Sequence, residues 1–171
     1  MKWLLWIGGG IVLVGGLVAA IGAMLPVRHH ATRRARYKAS ADALYAVLAG
    51  PPDWRTGVKS YGVLAEQDGI RRWWEEDSHG QKITFELAEA RPAERLRVRI
   101  ADQGLPFGGM WTFDIAPAAD GGSELRVTED GEVYNVIFRF VARYFFGYHS
   151  SIETYLRDLG AKFGQAVEIE A

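Results

Sequence analysis

The sequence predicts an α+β protein in which a curved antiparallel sheet of about seven strands wraps around a long C-terminal helix. Three observations lead to this fold class. The chain opens on an uncharged apolar run, short alternating segments separated by turn residues follow, and an apolar stripe at helical spacing lies near the end. We therefore expect two parts, an N-terminal transmembrane helix over residues 1–26 and one domain over residues 27–171.

The N-terminal run is long enough to anchor the chain in a membrane. Trp3 to Leu25 contains no charged residue, and about 20 apolar residues span the hydrocarbon core of a bilayer. A cleaved signal peptide is the alternative, because Lys2 supplies a short positive n-region. Against it, the run is longer than the usual h-region of about 7–15 residues, and no A-x-A cleavage site precedes Pro26. We predict a single-pass membrane protein.

The residues in and after this run bear on self-association and orientation. Gly15, Ala19 and Ala23 form a small-xxx-small row that could pack against a second copy, which predicts weak self-association. Lys2 precedes the run, whereas five basic residues follow it: Arg28, Arg33, Arg34, Arg36 and Lys38. The positive-inside rule then favours a cytoplasmic domain, although several of these arginines belong to the first predicted strand rather than to a free loop.

Composition excludes several classes of function. The chain of 171 residues has a formal net charge of −1, and basic residues are not interleaved with its aromatic strands, so we expect no nucleic-acid partner. The absence of cysteine excludes disulfides, thiolate catalysis and cysteine-ligated metals. Histidines and carboxylates lack metal-ligand spacing, and no Gly-x-Ser-x-Gly motif occurs. We predict no metal site and no cofactor.

The domain begins with a strand and a short helix. Val27 to Lys38 alternates so that one face carries the less polar side chains His29, Ala31, Ala35 and Tyr37. Ser40 is a suitable N-cap for a helix over Ala41–Ala49, which Gly50-Pro51-Pro52 ends.

The middle of the chain predicts six further strands. They cover Lys59–Glu66, Ile70–Asp77, Lys82–Ala88, Arg95–Ala101, Met110–Ala116 and Ser123–Val133. Gln67-Asp68-Gly69 is a hairpin signal between the first two. Alternation is clearest in the fourth, where Leu96, Val98 and Ile100 face the core and arginines face solvent.

Val136 to Gly164 predicts one long helix for the sheet to enclose. Apolar residues recur there at intervals of three or four and form a continuous stripe, which consists of Ile137, Phe138, Val141, Phe145, Tyr148, Ile152, Leu156, Leu159 and Phe163. Arg139 lies on the opposite side of the helix. We expect Phe145 and Ile152 to be buried and Arg139 to be exposed.

The order of these elements carries a resemblance to a known family. The residues that match are Ala39-Ser40 before the first helix, Asp53-Trp54 after it, Gly109-x-Trp111 at the start of a late strand, Thr128-Glu129-Asp130-Gly131 in the last strand, and the aromatic final helix. From Val27 to Gln165 the chain resembles the START-like helix-grip superfamily, also called SRPBCC or polyketide cyclase/dehydrase-like. The resemblance implies a sheet curled around the last helix, with a cavity between them for lipids, sterols, polyketides or other apolar molecules. A minority of its members are enzymes.

Two polar residues are candidates for chemistry. Glu129 shares its strand parity with Leu125 and Val127, and an ionised carboxylate on an apolar face is costly unless it is paired. His149 lies beside the helical stripe, and the last strand runs directly into this helix, so the two side chains could meet across the cavity. They would form an acid–base pair, a polar ligand anchor or a purely structural pair.

The expected lining of the pocket is mostly aromatic. Strand parity and turn position direct five aromatic residues inward, namely Trp54, Trp74, Phe85, Trp111 and Phe113. Phe107 lies in the loop Leu105–Gly109, which could cover the entrance. The predicted ligand-binding set also includes Glu129, Phe145, His149 and Ile152.

These features predict a non-enzymatic function, the binding or carriage of a hydrophobic small molecule or lipid by a domain tethered to the membrane. One alternative is a cyclase-like or dehydratase-like enzyme that uses Glu129 and His149. Another is an accessory domain that acts by protein contact. A void with an exposed polar pair favours the enzyme, a purely apolar void favours the carrier, and a filled core favours the accessory domain.

Overall fold

The computed structural model describes residues 2–171, apart from the side chains of residues 2, 4 and 5. Helix α1 (Lys2–Met24) precedes strand β1 (Arg28–Tyr37) and helix α2 (Ala41–Ala49). Six strands follow: β2 (Ser60–Gln67), β3 (Ile70–Glu76), β4 (Lys82–Arg91), β5 (Arg95–Ile100), β6 (Phe107–Pro117) and β7 (Ser123–Val133). The chain ends with α3 (Val136–Val141), a π-helical turn (Ala142–Phe146), α4 (Ser150–Lys162) and β8 (Ile169–Glu170).

The strands form one antiparallel sheet, as predicted. Its order is β2-β3-β4-β5-β6-β7-β1-β8, so the first strand of the domain pairs with the last long one. The predicted α+β fold is confirmed, with eight strands in place of about seven. The additional strand, β8, consists of two residues and is too short to show alternation.

Two local signals fold as the sequence predicts. Gln67 pairs with Ile70 across a two-residue hairpin loop. Asp68 and Gly69 in that loop both have positive φ, of 53° and 75°, the combination that a type I′ turn requires. At the start of α2, the Ala43 amide donates to Ser40 Oγ over 3.3 Å, which confirms the predicted N-cap.

The core lies between α4 and the β1–β7 side of the sheet. Its most deeply buried side chains alternate along the strands and recur along the helix, and they include Leu125, Val127, Ile152, Leu156 and Leu159. The buried Tyr37 hydroxyl donates to the Leu156 carbonyl over 2.9 Å and ties β1 to α4. Burial raises the pKa of Tyr37 far above the ordinary value for tyrosine.

The predicted long C-terminal helix is broken into two. The Gly147 amide donates to the Ala142 carbonyl and closes a π-helical turn, after which Gly147 adopts a φ of +70° that ends the helix. Only the part after the break, α4, lies in the core. Ile152 is fully buried as predicted, but Phe145, ahead of the break, is 74% exposed. The expectation that Phe145 is buried is therefore wrong.

The segment before the break packs against α1 instead of the sheet. The two backbones are so close that a Cβ on Gly22 would lie 1.9 Å from the Val136 carbonyl oxygen. Arg139 is only 9% exposed, and its guanidinium donates to the Leu25 carbonyl over 2.8 Å. We expected Arg139 to be exposed, and this was wrong because the C-terminal end of α1 covers it.

The rest of α1 has almost no protein around it. Residues 6–24 are long and apolar enough to cross a membrane. Large side chains along it are exposed, including Trp6, Ile11, Val12, Leu13 and Met24. A core helix of a water-soluble domain would bury such side chains, so α1 is a candidate membrane span.

Candidate functional site

A cavity of about 660 Å³ lies between the inner face of the sheet, α4 and the loop after α2. Inward-facing residues of β3 to β7 supply one wall, and Tyr148, Ser151 and Tyr155 supply the other. The cavity is partly open to the exterior. Its volume falls within the range of about 300–1,000 Å³ that is usual for small-molecule pockets.

Tyr155 forms the centre of an aromatic floor. Its ring centroid lies 5.1 Å from that of Trp54, 5.8 Å from Trp111 and 5.1 Å from Phe113. The guanidinium of Arg55 lies over the same ring, 5.0 Å from its centroid. Burial raises the pKa of Tyr155 far above its ordinary value, although the charge on Arg55 opposes this. The phenol therefore stays protonated at all physiological pH values and can serve as a hydrogen-bond donor.

The first polar cluster of the cavity consists of His29, Glu129 and Ser151. His29 Nε2 lies 3.6 Å from Glu129 Oε1, and Ser151 Oγ donates to Glu129 Oε2 over 3.1 Å. The imidazole stacks on the Tyr148 ring at a centroid distance of 4.1 Å. Gly131, opposite His29 in the sheet, leaves room for the ring, since a Cβ there would lie 2.2 Å from it. All three polar side chains line the cavity, so they can present hydrogen-bonding atoms to a ligand.

The second polar cluster joins Arg55, Glu75 and Trp73. Arg55 Nη1 donates to Glu75 Oε2 over 2.5 Å, and Trp73 Nε1 donates to Glu75 Oε1 over 3.0 Å. Glu75 is only 9% exposed, so its charge requires these donors. Because both carboxylate oxygens are already bonded, this cluster mainly shapes the wall.

The structure places most of the predicted aromatic residues as expected. Trp54, Phe85, Phe107, Trp111 and Phe113 line the cavity, and so does Glu129. Trp111 and Phe113 lie two residues apart on β6 and therefore face the same side of the sheet, which is the cavity side.

Four predicted site residues lie outside the cavity lining. The Trp74 ring faces Lys82, whose Nζ is 4.2 Å from its centroid, and the adjacent Trp73 points inward in its place. Ile152 belongs to the core, and Phe145 is on the outer surface. His149 is the residue that precedes α4.

The expected Glu129–His149 contact is replaced by Glu129–His29. His29 comes from β1, which pairs with β7 in the register that places Ala31 opposite Glu129. Part of the signal was present in the sequence, because His29 shares its face of the first strand with Ala31, Ala35 and Tyr37. Tyr155 could also have been found, since it lies three residues after Ile152 on the buried side of α4.

The outer face of the sheet carries paired charges. Arg28 bonds to Glu132 over 3.1 Å, Arg36 lies 3.0 Å from Asp120, and Arg34 lies 2.8 Å from Glu170. These pairs indicate a solvated surface. Within residues 2–171, no three His, Asp or Glu side chains are placed to hold a metal ion.

Comparison with solved structures shows the same fold in several proteins. A conserved protein from Geobacillus kaustophilus superposes with a TM-score of 0.67 at 14% identity, covering 84% of this chain and 100% of that one. An uncharacterised protein from Bacillus thuringiensis has a TM-score of 0.62 at 14% identity, covering 80% and 100%. Norcoclaurine synthase from Thalictrum flavum, in complex with dopamine and hydroxybenzaldehyde, has a TM-score of 0.59 at 14% identity, covering 80% and 87%.

The fold and the cavity define a helix-grip domain of the ligand-binding kind, joined to an apolar N-terminal helix. The chain belongs to the family described as polyketide cyclase/dehydrase and lipid transport, whose sequence profile matches residues 28–161. The match excludes α1 and includes every element that lines the cavity. No curated protein matches the chain in sequence.

Proposed function

We propose that this protein binds or carries a hydrophobic small molecule or lipid in its internal cavity while α1 holds it in a membrane. The observation that carries this proposal is the cavity of about 660 Å³ with its aromatic floor. A space of this size, walled by Trp, Phe and Tyr rings, favours an apolar ligand. The family description, which includes lipid transport, supports the same class of ligand.

The first polar cluster gives the ligand an orientation. His29, Glu129 and Ser151 are polar groups in an otherwise apolar wall, and such groups usually fix the direction in which a ligand enters. A ligand with one hydroxyl, carbonyl or amine group among apolar carbons can bond to this cluster and bury the rest over the Tyr155 floor.

The tether is supported by how α1 meets the domain. Arg139 is buried and donates to the carbonyl of Leu25, just after the end of α1. Cleavage of α1 as a signal peptide would remove both this acceptor and the helix end that covers Arg139, so the packing favours retention of α1. We therefore propose residues 1–26 as a retained span and residues 27–171 as the domain. On charge distribution we propose that this domain faces the cytoplasm.

Self-association through α1 remains a prediction, which rests on the row of small residues in this helix. Gly15 and Ala23 are exposed, whereas Ala19 is half-buried. Part of the row is thus open to a second span in the bilayer.

Acid–base catalysis is a second candidate function, favoured by the polar cluster in the cavity. An imidazole next to a carboxylate is a pair of groups that can serve as general acid and base, and the fold admits catalysis, since the Thalictrum flavum protein is named as a synthase. In this version His29 takes the role predicted for His149. An accessory domain without a ligand has less support, because its expected filled core is replaced by the cavity.

Native mass spectrometry of the full-length protein, released from detergent micelles, tests the proposal. We expect an additional bound mass. Val98→Phe should reduce it by filling the cavity that Val98 lines, whereas Ala116→Phe, at an exposed position, should not. A wild-type protein with no bound mass, which also takes up none of the lipids of its own membrane extract, would contradict ligand carriage. A ligand that is released chemically altered would identify an enzyme.

A further inference from the structure

We propose that α3 and the π-helical turn, residues 136–146, form a docking surface that lies on the bilayer and seats the mouth of the cavity against it. We call these residues the aromatic segment. The inference rests on the proposed membrane tether and adds a second point of contact with lipid. It commits to one occupant of this surface, the lipid interface next to α1.

The aromatic segment exposes more large apolar surface than any other part of the domain described. Phe145 is 74% exposed and Phe146 is 71% exposed. Ile137, Phe138 and Tyr144 each expose about half of their surface or more. A contiguous patch of this kind marks an interaction site, because water-soluble surfaces rarely leave so many large apolar side chains together.

The position of α1 identifies the occupant. The contact between Gly22 and the Val136 carbonyl holds α3 against the last turn of α1. Gly22 is two residues before the end of that helix, a rise of about 3 Å at 1.5 Å per residue. If residues 6–24 cross the bilayer, their last turn lies at the interface, and so does the start of the aromatic segment that contacts it.

The chemistry of the aromatic segment suits an interface. Tyr side chains prefer the headgroup level, where the ring is apolar and the hydroxyl is wet. Arg143 is exposed and, among the residues described, makes no ion pair with an acidic side chain. A cation beside an aromatic face is the arrangement that attracts anionic headgroups.

The inner side of the same segment lines the cavity. Phe138 and Ala142 of the segment contribute to its wall, and so do Gly147 and Tyr148 directly after it. The segment therefore separates the cavity from the bilayer by the thickness of a single helix. A lipid in the membrane beside this segment is therefore separated from the cavity by the segment alone.

Site-directed spin labelling of the full-length protein tests this surface, and the absence of cysteine makes single labels straightforward. The protein is reconstituted in vesicles of phosphatidylcholine and phosphatidylglycerol with one nitroxide at Phe145→Cys, Ala116→Cys or Leu13→Cys. Ala116 is the matched exposed control, since it lies at the other end of β6 from Phe107, near the strand end that is remote from α3. Leu13, in the middle of α1, reports on the tether.

For each label we measure the ratio of its collision rate with oxygen to its collision rate with a water-soluble nickel chelate. We expect this ratio to be severalfold higher at 145 than at 116. Equal ratios at 145 and 116 would overturn the docking surface. Protection from both reagents together with spin–spin broadening would also overturn it, because a second copy would then cover the segment. The label at 13 decides the tether separately. A water-like ratio there would refute the span, whereas a lipid-like ratio at 13 with a water-like ratio at 145 would refute the docking surface alone.

Discussion

Because the helix is broken at Gly147, Phe145 and Ile152 should contribute very differently to stability, although both belong to the same apolar stripe in the sequence. Ile152 is 0% exposed and packs in the core, whereas Phe145 is 74% exposed. Replacement of a buried Ile by Ala removes apolar contacts and leaves a cavity, at a cost of about 2–5 kcal/mol. Surface substitutions usually change stability by less than about 0.5 kcal/mol. We expect Ile152→Ala to be severely destabilising and Phe145→Ala to be nearly neutral.

Thermal melting of the full-length protein in detergent micelles, followed by near-UV circular dichroism, measures the difference. For a domain of this size each kcal/mol shifts the midpoint by about 2–4 °C. The Ile152→Ala midpoint should therefore fall by about 4–20 °C, and the Phe145→Ala midpoint by about 2 °C at most. Equal falls for both variants would refute the reasoning, because they would mean that one continuous helix buries both residues.

Three further predictions concern the joint with α1, the cavity and alkaline pH. Arg139→Met should release α1 from the domain. Limited proteolysis should then cut the chain after Pro26 faster than in the wild type. The Arg143→Met variant, changed at an exposed position, should be cut at the wild-type rate. Glu129→Gln should change the free energy of unfolding by no more than about 1 kcal/mol and should reduce the amount of bound ligand that native mass spectrometry detects. Unchanged binding would show that Glu129 is not part of the site. Because burial holds the Tyr155 pKa above its unfolded value of about 10, this group favours folding fully below pH 10 and loses that contribution as the pH rises beyond it. Stability should then fall by about 1.4 kcal/mol per pH unit for each such tyrosine, and Tyr155→Phe should show a slope shallower by that amount in urea titrations between pH 10 and 12.

Much of the fold could be predicted because single strands and helices carry their own periodicity. β5 alternates without interruption, and its inward side chains follow from parity alone. Trp73 and Trp74 were harder, because two tryptophans followed by two glutamates show no alternation. Pairing between β2 and β3 also shifts register after Leu64, so parity cannot be transferred from one strand to the other.

The candidate site was only partly predictable, because its polar partners come from distant parts of the chain. His29 and Glu129 meet because β1 pairs with β7, and strand pairing across such a separation leaves no local signal. The break in the last helix was also hidden. Gly147 interrupts the helix, but the apolar spacing continues across it because each side has its own partner: α1 before the break, the sheet after it. The spacing of apolar residues indicates that one face of a helix is covered, but it does not indicate which element covers that face.

The short connection between α1 and the domain limits the reach of a protein anchored in this way. Three residues separate Met24 from Arg28, and an extended chain spans at most about 3.5 Å per residue. The contacts of Arg139 and Gly22 restrict the movement further, because they fix the end of α1 to α3. Such a domain cannot swing out to a distant acceptor in the way that a carrier on a flexible linker does. With α1 in a membrane, as proposed, the cavity would exchange contents with the leaflet next to it or with a protein that comes to that leaflet. Lengthening the connection with glycine and serine would uncouple the domain from α1 while leaving the cavity intact.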